Sequence, residues 1–62
     1  MARKPYRHAS YCYDMLKRLA EQYKEMETQF REVGDDERAD KEHEYYLAMI
    51  RAATVLVKTY DL

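Results

Sequence analysis

Cations and tyrosines gather in the first part of this chain, and their types point most directly to chemistry. Lys4, Arg7, Tyr11 and Arg18 recur at steps of three, four and seven, which places them on one stripe of a helix. Asp14 interrupts the stripe, Arg3 and Lys17 flank it, and Tyr6 and Tyr13 lie to one side. Cationic groups hold phosphates, and aromatic rings stack on bases. If a second helix folds back and brings Tyr60 to the same end, the cluster has the parts of a site for a nucleotide-like anionic ligand. The plainer reading of the same residues is a solvated basic face, with Tyr23 and Tyr46 belonging to the core.

The second polar constellation is acidic. Glu32, Asp35, Asp36, Glu37, Asp40, Glu42 and Glu44 crowd one stretch, with Glu27 just before it. Such a surface can occupy a basic site on a partner; it can equally be a solvated loop end that caps helices. His43 stands among these acids, and Asp40 and His43 have the i,i+3 spacing of a carboxylate–histidine ligand pair. A metal would need further inward acids, and the apolar seam of the first helix offers none, so no metal is assigned. His43 reads instead as a half-buried residue at the loop end, packed on Phe30. Ser10, Thr28, Thr54 and Thr59 have no base that the pattern places beside them. His8 and Cys12 at i,i+4 could meet, but a lone pair of this kind is more simply a surface histidine beside a core cysteine. Gly34 is the only glycine, which excludes glycine-rich phosphate loops. No catalytic residue and no cofactor are assigned, and the chain is read as non-enzymatic.

Two helices must position these groups. In the first, Ala9, Cys12, Leu16, Leu19, Tyr23, Met26, Phe30 and Val33 alternate steps of three and four, the heptad signature of helix packing. Pro5 and Ser10 are both good starts for it, and Glu27 with Arg31 reads as a favourable pair on its outer face. Gly34 follows the last seam residue, where a left-handed residue is wanted, and Asp35 and Asp36 can cap what comes next. The second seam is Ala39, His43, Tyr46, Ile50, Ala53, Val57 and Tyr60. The expected layout is one domain over residues 1–62: a helix over about 6–33, a turn at 34–36, and a helix over about 36–60. So short a turn makes the helices antiparallel neighbours, with Phe30 facing His43 and Met26 facing Tyr46.

Such a hairpin is too small to cover itself. Chains of this length bury only about 60% of their unfolded surface, and the usual remedies are disulfides, metal or oligomerisation. Cys12 is the only cysteine, so no internal disulfide can form. The stretch Tyr45 to Val57 carries one charge, Arg51, and is apolar on nearly every side, unlike an ordinary surface helix. Ala48, Ala52 and Val55 line its back, where a lone hairpin would be polar. The fold class expected is therefore all-α: a two-helix antiparallel hairpin assembling as a homodimeric four-helix bundle or a larger oligomer. Its interface with a copy or partner draws on Leu16, Leu19, Tyr46, Ala48, Met49, Ile50, Ala52, Ala53, Val55 and Leu56.

Charge is unevenly spread. Residues 1–20 carry Arg3, Lys4, Arg7, Lys17 and Arg18 against Asp14, a net of +4; residues 21–44 carry ten acids against Lys24, Arg31, Arg38 and Lys41, a net of −6. Residues 45–62 carry Arg51 and Lys58 against Asp61, a net of +1. No apolar run is long enough for a membrane span, and the basic start lacks the apolar stretch of a signal peptide, so a cytoplasmic protein is expected.

The plan resembles the Rop family of small plasmid RNA-binding proteins, helical hairpins that dimerise into four-helix bundles. The segment Gly34-Asp35-Asp36-Glu37-Arg38-Ala39-Asp40 is similar in character to that family's acidic turn and second-helix start. The resemblance implies RNA binding on the outer face of the first helix. Here Asp14 interrupts that stripe and Phe30 falls on the seam, so no RNA-binding residue carries across. Gly34-Asp35 with Ala39 and Tyr45-Tyr46 is also similar to a tetratricopeptide helix pair, without a second repeat. The function expected first is a small regulatory or inhibitory protein, of a size common in viral or mobile elements, that occupies a macromolecular partner such as a host protein. The alternatives are an oligomer that sequesters a nucleotide-like ligand with Lys4, Arg7, Tyr11, Arg18 and Tyr60, and Rop-like RNA binding.

Overall fold

Two helices and one tight turn make up the described residues. The computed structural model describes residues 5–62, with side chains from His8 onward. Helix α1 spans Pro5–Glu32 and helix α2 spans Asp36–Tyr60. Of the two possible starts for α1, the helix takes Pro5, whose missing N–H costs nothing in a first turn. Among the described residues there is no strand, and no helix is long and apolar enough to cross a membrane.

The turn is built by local chemistry. Gly34 adopts φ +80°, the left-handed region that glycine enters without penalty. The Asp35 N–H then donates to the Phe30 carbonyl at 2.8 Å and the Gly34 N–H to the Arg31 carbonyl at 3.1 Å. These are the two bonds of a Schellman motif, and they satisfy carbonyls that the end of α1 would leave unpaired. Asp35 serves the next helix as well: its Oδ1 accepts from the Arg38 N–H at 3.2 Å, an N-cap bond to the third helical residue. Asp36 and Glu37 add negative charge to the first turn of α2, at the positive end of its dipole. At the other end of α2, Asp61 closes the helix in a left-handed conformation, and its N–H donates to the Val57 carbonyl.

The helices lie side by side in a rod of 54 × 14 × 11 Å with a radius of gyration of 14.7 Å. A compact chain of this length would have about 11 Å. Between the helices sits a thin line of small residues. The buried apolar residues are Ala9, Ala20, Ala39 and Ala53, and no large side chain among the described residues is fully buried.

The seam of α2 lies where the periodicity puts it, from Ala39 through His43, Tyr46, Ile50 and Ala53 to Val57, while Tyr60 at the helix end is exposed. The seam of α1 is rotated. Its inner line runs Ala9, Tyr13, Leu16, Ala20, Tyr23, Glu27 and Phe30, all buried or half-buried; Cys12, Met26 and Val33, expected on the seam, are exposed. The reason is steric. With one neighbour a helix buries only the stripe closest to it, and alanines let the two axes approach. The line through Ala9 and Ala20 wins that position, and Leu19 and Met26 are left beside it. Across the helices Glu27 meets His43, and Arg38 lies over the Phe30 ring.

Candidate functional site

Two features organise the surface: a polar knot between the helices near the turn, and an apolar face along one side of the rod.

The knot centres on Glu27, which is 6% exposed and was expected on the outer face. A buried carboxylate is costly unless charges and hydrogen bonds compensate it. Arg31 donates to Glu27 Oε2 through Nε at 3.1 Å and Nη2 at 3.0 Å. The same Nη2 donates to Asp40 Oδ1 at 3.1 Å, and Nη1 lies 3.7 Å from Asp36 Oδ1. Glu27 Oε1 is 3.1 Å from His43 Nδ1 and 3.5 Å from Lys24 Nζ. No buried side-chain polar atom among the described residues lacks a partner. Burial alone pushes the Glu27 carboxyl up; hydrogen bonds from His43 and Arg31, with the charge of Lys24, outweigh it and hold the group below its ordinary value. Arg31 is held above its ordinary value by its hydrogen bonds to Glu27 and Asp40.

An ionised carboxylate only accepts, so the Glu27–His43 bond requires a proton on Nδ1. The half-exposed ring lies near that of Tyr46, with centroids 6.0 Å apart. A carboxylate-oriented imidazole is the form a general base takes. The hydroxyls nearest to catalytic interest are engaged elsewhere: Thr28 donates to the Lys24 carbonyl at 3.1 Å and Thr54 to the Ile50 carbonyl at 2.9 Å. No group of three or more His, Cys, Asp or Glu residues among the described ones is placed to hold a metal ion. The knot joins the helices: Glu27 and Arg31 of α1 meet His43, Asp36 and Asp40 of α2.

Side-chain contacts show which flanks of the two helices share a side. On one side the Tyr23 and Tyr45 rings meet at 5.4 Å, and the Arg38 guanidinium lies 5.9 Å from the Phe30 ring. On the other side Arg31 reaches Asp36 and Asp40, and a shallow groove of about 150 Å³ is lined by Tyr13, Lys17, Ile50, Ala53, Thr54 and Val57. Helical periodicity then assigns the remaining residues. The side of Tyr23 and Tyr45 carries Cys12, Met15, Leu19 and Met26 from α1, and Met49, Ala52 and Leu56 from α2. Met15 is 38% exposed, Met26 39% and Tyr45 49%; Leu19, Met49, Ala52 and Leu56 are half-buried. The opposite side carries Lys17, Lys24, Arg31, Asp36 and Asp40.

The residues singled out from the sequence divide accordingly. Leu16, Tyr46, Ile50 and Ala53 belong to the contact between α1 and α2. Leu19, Met49, Ala52 and Leu56 lie on the apolar face. Ala48 and Val55 are on the back of α2, both exposed. Lys4 lies outside the described residues, as does the side chain of Arg7. Tyr11, 66% exposed, and Arg18, also exposed, share the outer stripe of α1. No hydrogen bond, ion pair or ring contact among the described residues joins Tyr60 to either of them. The residue missed in the sequence is Glu27. Its signal was its spacing, four after Tyr23 and three before Phe30, opposite a histidine on the facing seam.

No family model matches the chain, and neither a curated protein nor a solved structure shows significant similarity to it. The likeness to Rop therefore rests on the hairpin and the acidic turn alone.

Proposed function

We propose that this chain works by association and not by catalysis. Two copies bury their apolar faces against each other as a four-helix bundle. The assembled rod acts in the cytoplasm as a regulatory or inhibitory protein that occupies a macromolecular partner. The observation that carries this reading is the apolar face itself. Methionines, two leucines and a tyrosine lie along one side of a rod in which the buried apolar residues, among the described ones, are four alanines. Apolar area removed from water is the main stabilising term in a small domain, and a lone hairpin leaves most of it unused. The acidic half next to the turn, with a net of −6 over residues 21–44, suits a basic site on the partner.

A second reading has one observation in its favour. Tyr11 is the most exposed tyrosine among the described residues, and it shares its stripe with Arg18. An exposed ring offers a stacking surface for a base, and a guanidinium about two turns away on the same stripe suits an anionic group. Native mass spectrometry of protein purified gently from cells separates the two readings. Association alone predicts a bare oligomer mass. Sequestration predicts an added small-molecule mass that Tyr11→Ala and Arg18→Ala both remove. A bare monomer would contradict both.

A further inference from the structure

The rod is electrically bipolar along its length. Within residues 5–62, the half away from the turn carries Arg7, Lys17, Arg18, Arg51 and Lys58 against Asp14 and Asp61, a net of +3; residues 21–44, the half at the turn, carry −6. The 28 residues of α1 set the halves along a helix about 42 Å long. That length is about four Debye lengths at 0.1 M salt, so the two ends act independently, and each responds to whatever lies beside it.

A pair of copies joined through the apolar face is isologous: the same patch meets itself about a two-fold axis. Two orientations satisfy that symmetry. In one, the turns lie side by side, and acidic half meets acidic half. In the other, the turns lie at opposite ends, and each acidic half meets the basic half of its partner. Like-charge juxtaposition at an interface is penalised, whereas complementary charge fixes orientation and speeds encounter. The apolar stripe of α1 is compatible with the second arrangement. Cys12 and Met26 stand seven residues either side of Leu19, so an inverted copy sets Cys12 against Met26 and Leu19 against Leu19.

Resting on the association reading above, we propose that the partner of this face is a second copy bound head to tail, with the two turns at opposite ends of the bundle. The charge split sets the orientation, and the symmetric stripe around Leu19 sets the register. Each end of the assembly then combines one acidic turn with one basic open end.

Orientation is measured separately from association. With Cys12→Ser as background, a spin label at Glu37→Cys marks the turn, on an exposed residue of the first turn of α2. Sedimentation of the labelled protein first gives its mass. A head-to-tail dimer then places the two labels about 40 Å apart by dipolar spectroscopy, from the helix rise. A dimer with labels within about 20 Å, the width of neighbouring helices, overturns the orientation and leaves the association reading standing. A monomer overturns both. A mixed sample gives the reciprocal result: a donor at Glu37→Cys in one copy and an acceptor at Thr59→Cys in the other transfer energy strongly in the head-to-tail dimer. Weak transfer in a confirmed dimer rejects the proposal.

Discussion

Glu27 is the residue on which the hairpin's register turns. It occupies a seam position between Tyr23 and Phe30, where an apolar residue would pack more simply. Lys24 and Arg31 compensate its charge from its own helix, while His43 and, through Arg31, Asp40 tie it to α2 at this register. Its carboxyl is held below its ordinary value of 4.5, so the folded state prefers the ionised form more strongly than the unfolded chain does. The stabilisation is present above that ordinary value and is lost as pH falls through the lower folded value. Melting temperature followed by circular dichroism should therefore drop on acidification below about pH 4.5. Glu27→Gln should melt lower at neutral pH and lose much of that acid dependence. An unchanged pH profile in the variant would show that Glu27 is not the responsible group. At the turn, Asp35→Ala should cost about 1 kcal/mol in chemical denaturation, the usual loss of an N-cap. Gly34→Ala should cost about 1–2 kcal/mol from its positive φ alone, since nothing lies within 4 Å of where a Cβ would sit.

At the scale of the helices, the contact between α1 and α2 is a line of alanines. Ala20 and Ala39 are 1% and 0% exposed, so a larger side chain at either must push the helices apart. Ala39→Leu should destabilise the fold by about 1–3 kcal/mol through overpacking. Val55→Lys, on the back of the same helix, should change stability by less than about 0.5 kcal/mol. Equal effects of the two in urea melts would show that the buried line has been misplaced. Much of this level was legible in the sequence. Gly34 and Asp35 announce the turn because their effects are local: one glycine and one capping acid act through their own backbone neighbours. The α2 seam was legible because its periodicity has one solution. The α1 seam was not, because two apolar lines lie side by side there. Choosing Met26 over Glu27 on hydropathy selected the line that faces away from α2. Which line meets α2 depends on how closely the helices approach, and that is set by alanines on both.

The whole molecule is a thin rod with one apolar side and one charged side. Periodicity in α2 already implied that one neighbour could not cover Tyr45 to Val57. What needed three dimensions was that the surplus of α1 and that of α2 lie on the same side, as the Tyr23–Tyr45 contact requires. Self-association through that side makes a specific demand on substitutions. Met15→Glu and Met49→Glu each set a carboxylate into the proposed interface and should weaken association about tenfold or more. Val55→Glu, on the back of α2, should leave it unchanged. If Val55→Glu were the damaging change, the contact would run along the Ala48, Ala52 and Val55 stripe instead. Whether the chain pairs with itself is decided by sedimentation equilibrium at micromolar concentration. A self-paired chain gives a single species of about 15 kDa, twice the 7.5 kDa chain, which Met15→Glu shifts towards half that mass. A 7.5 kDa species that stays folded would contradict it.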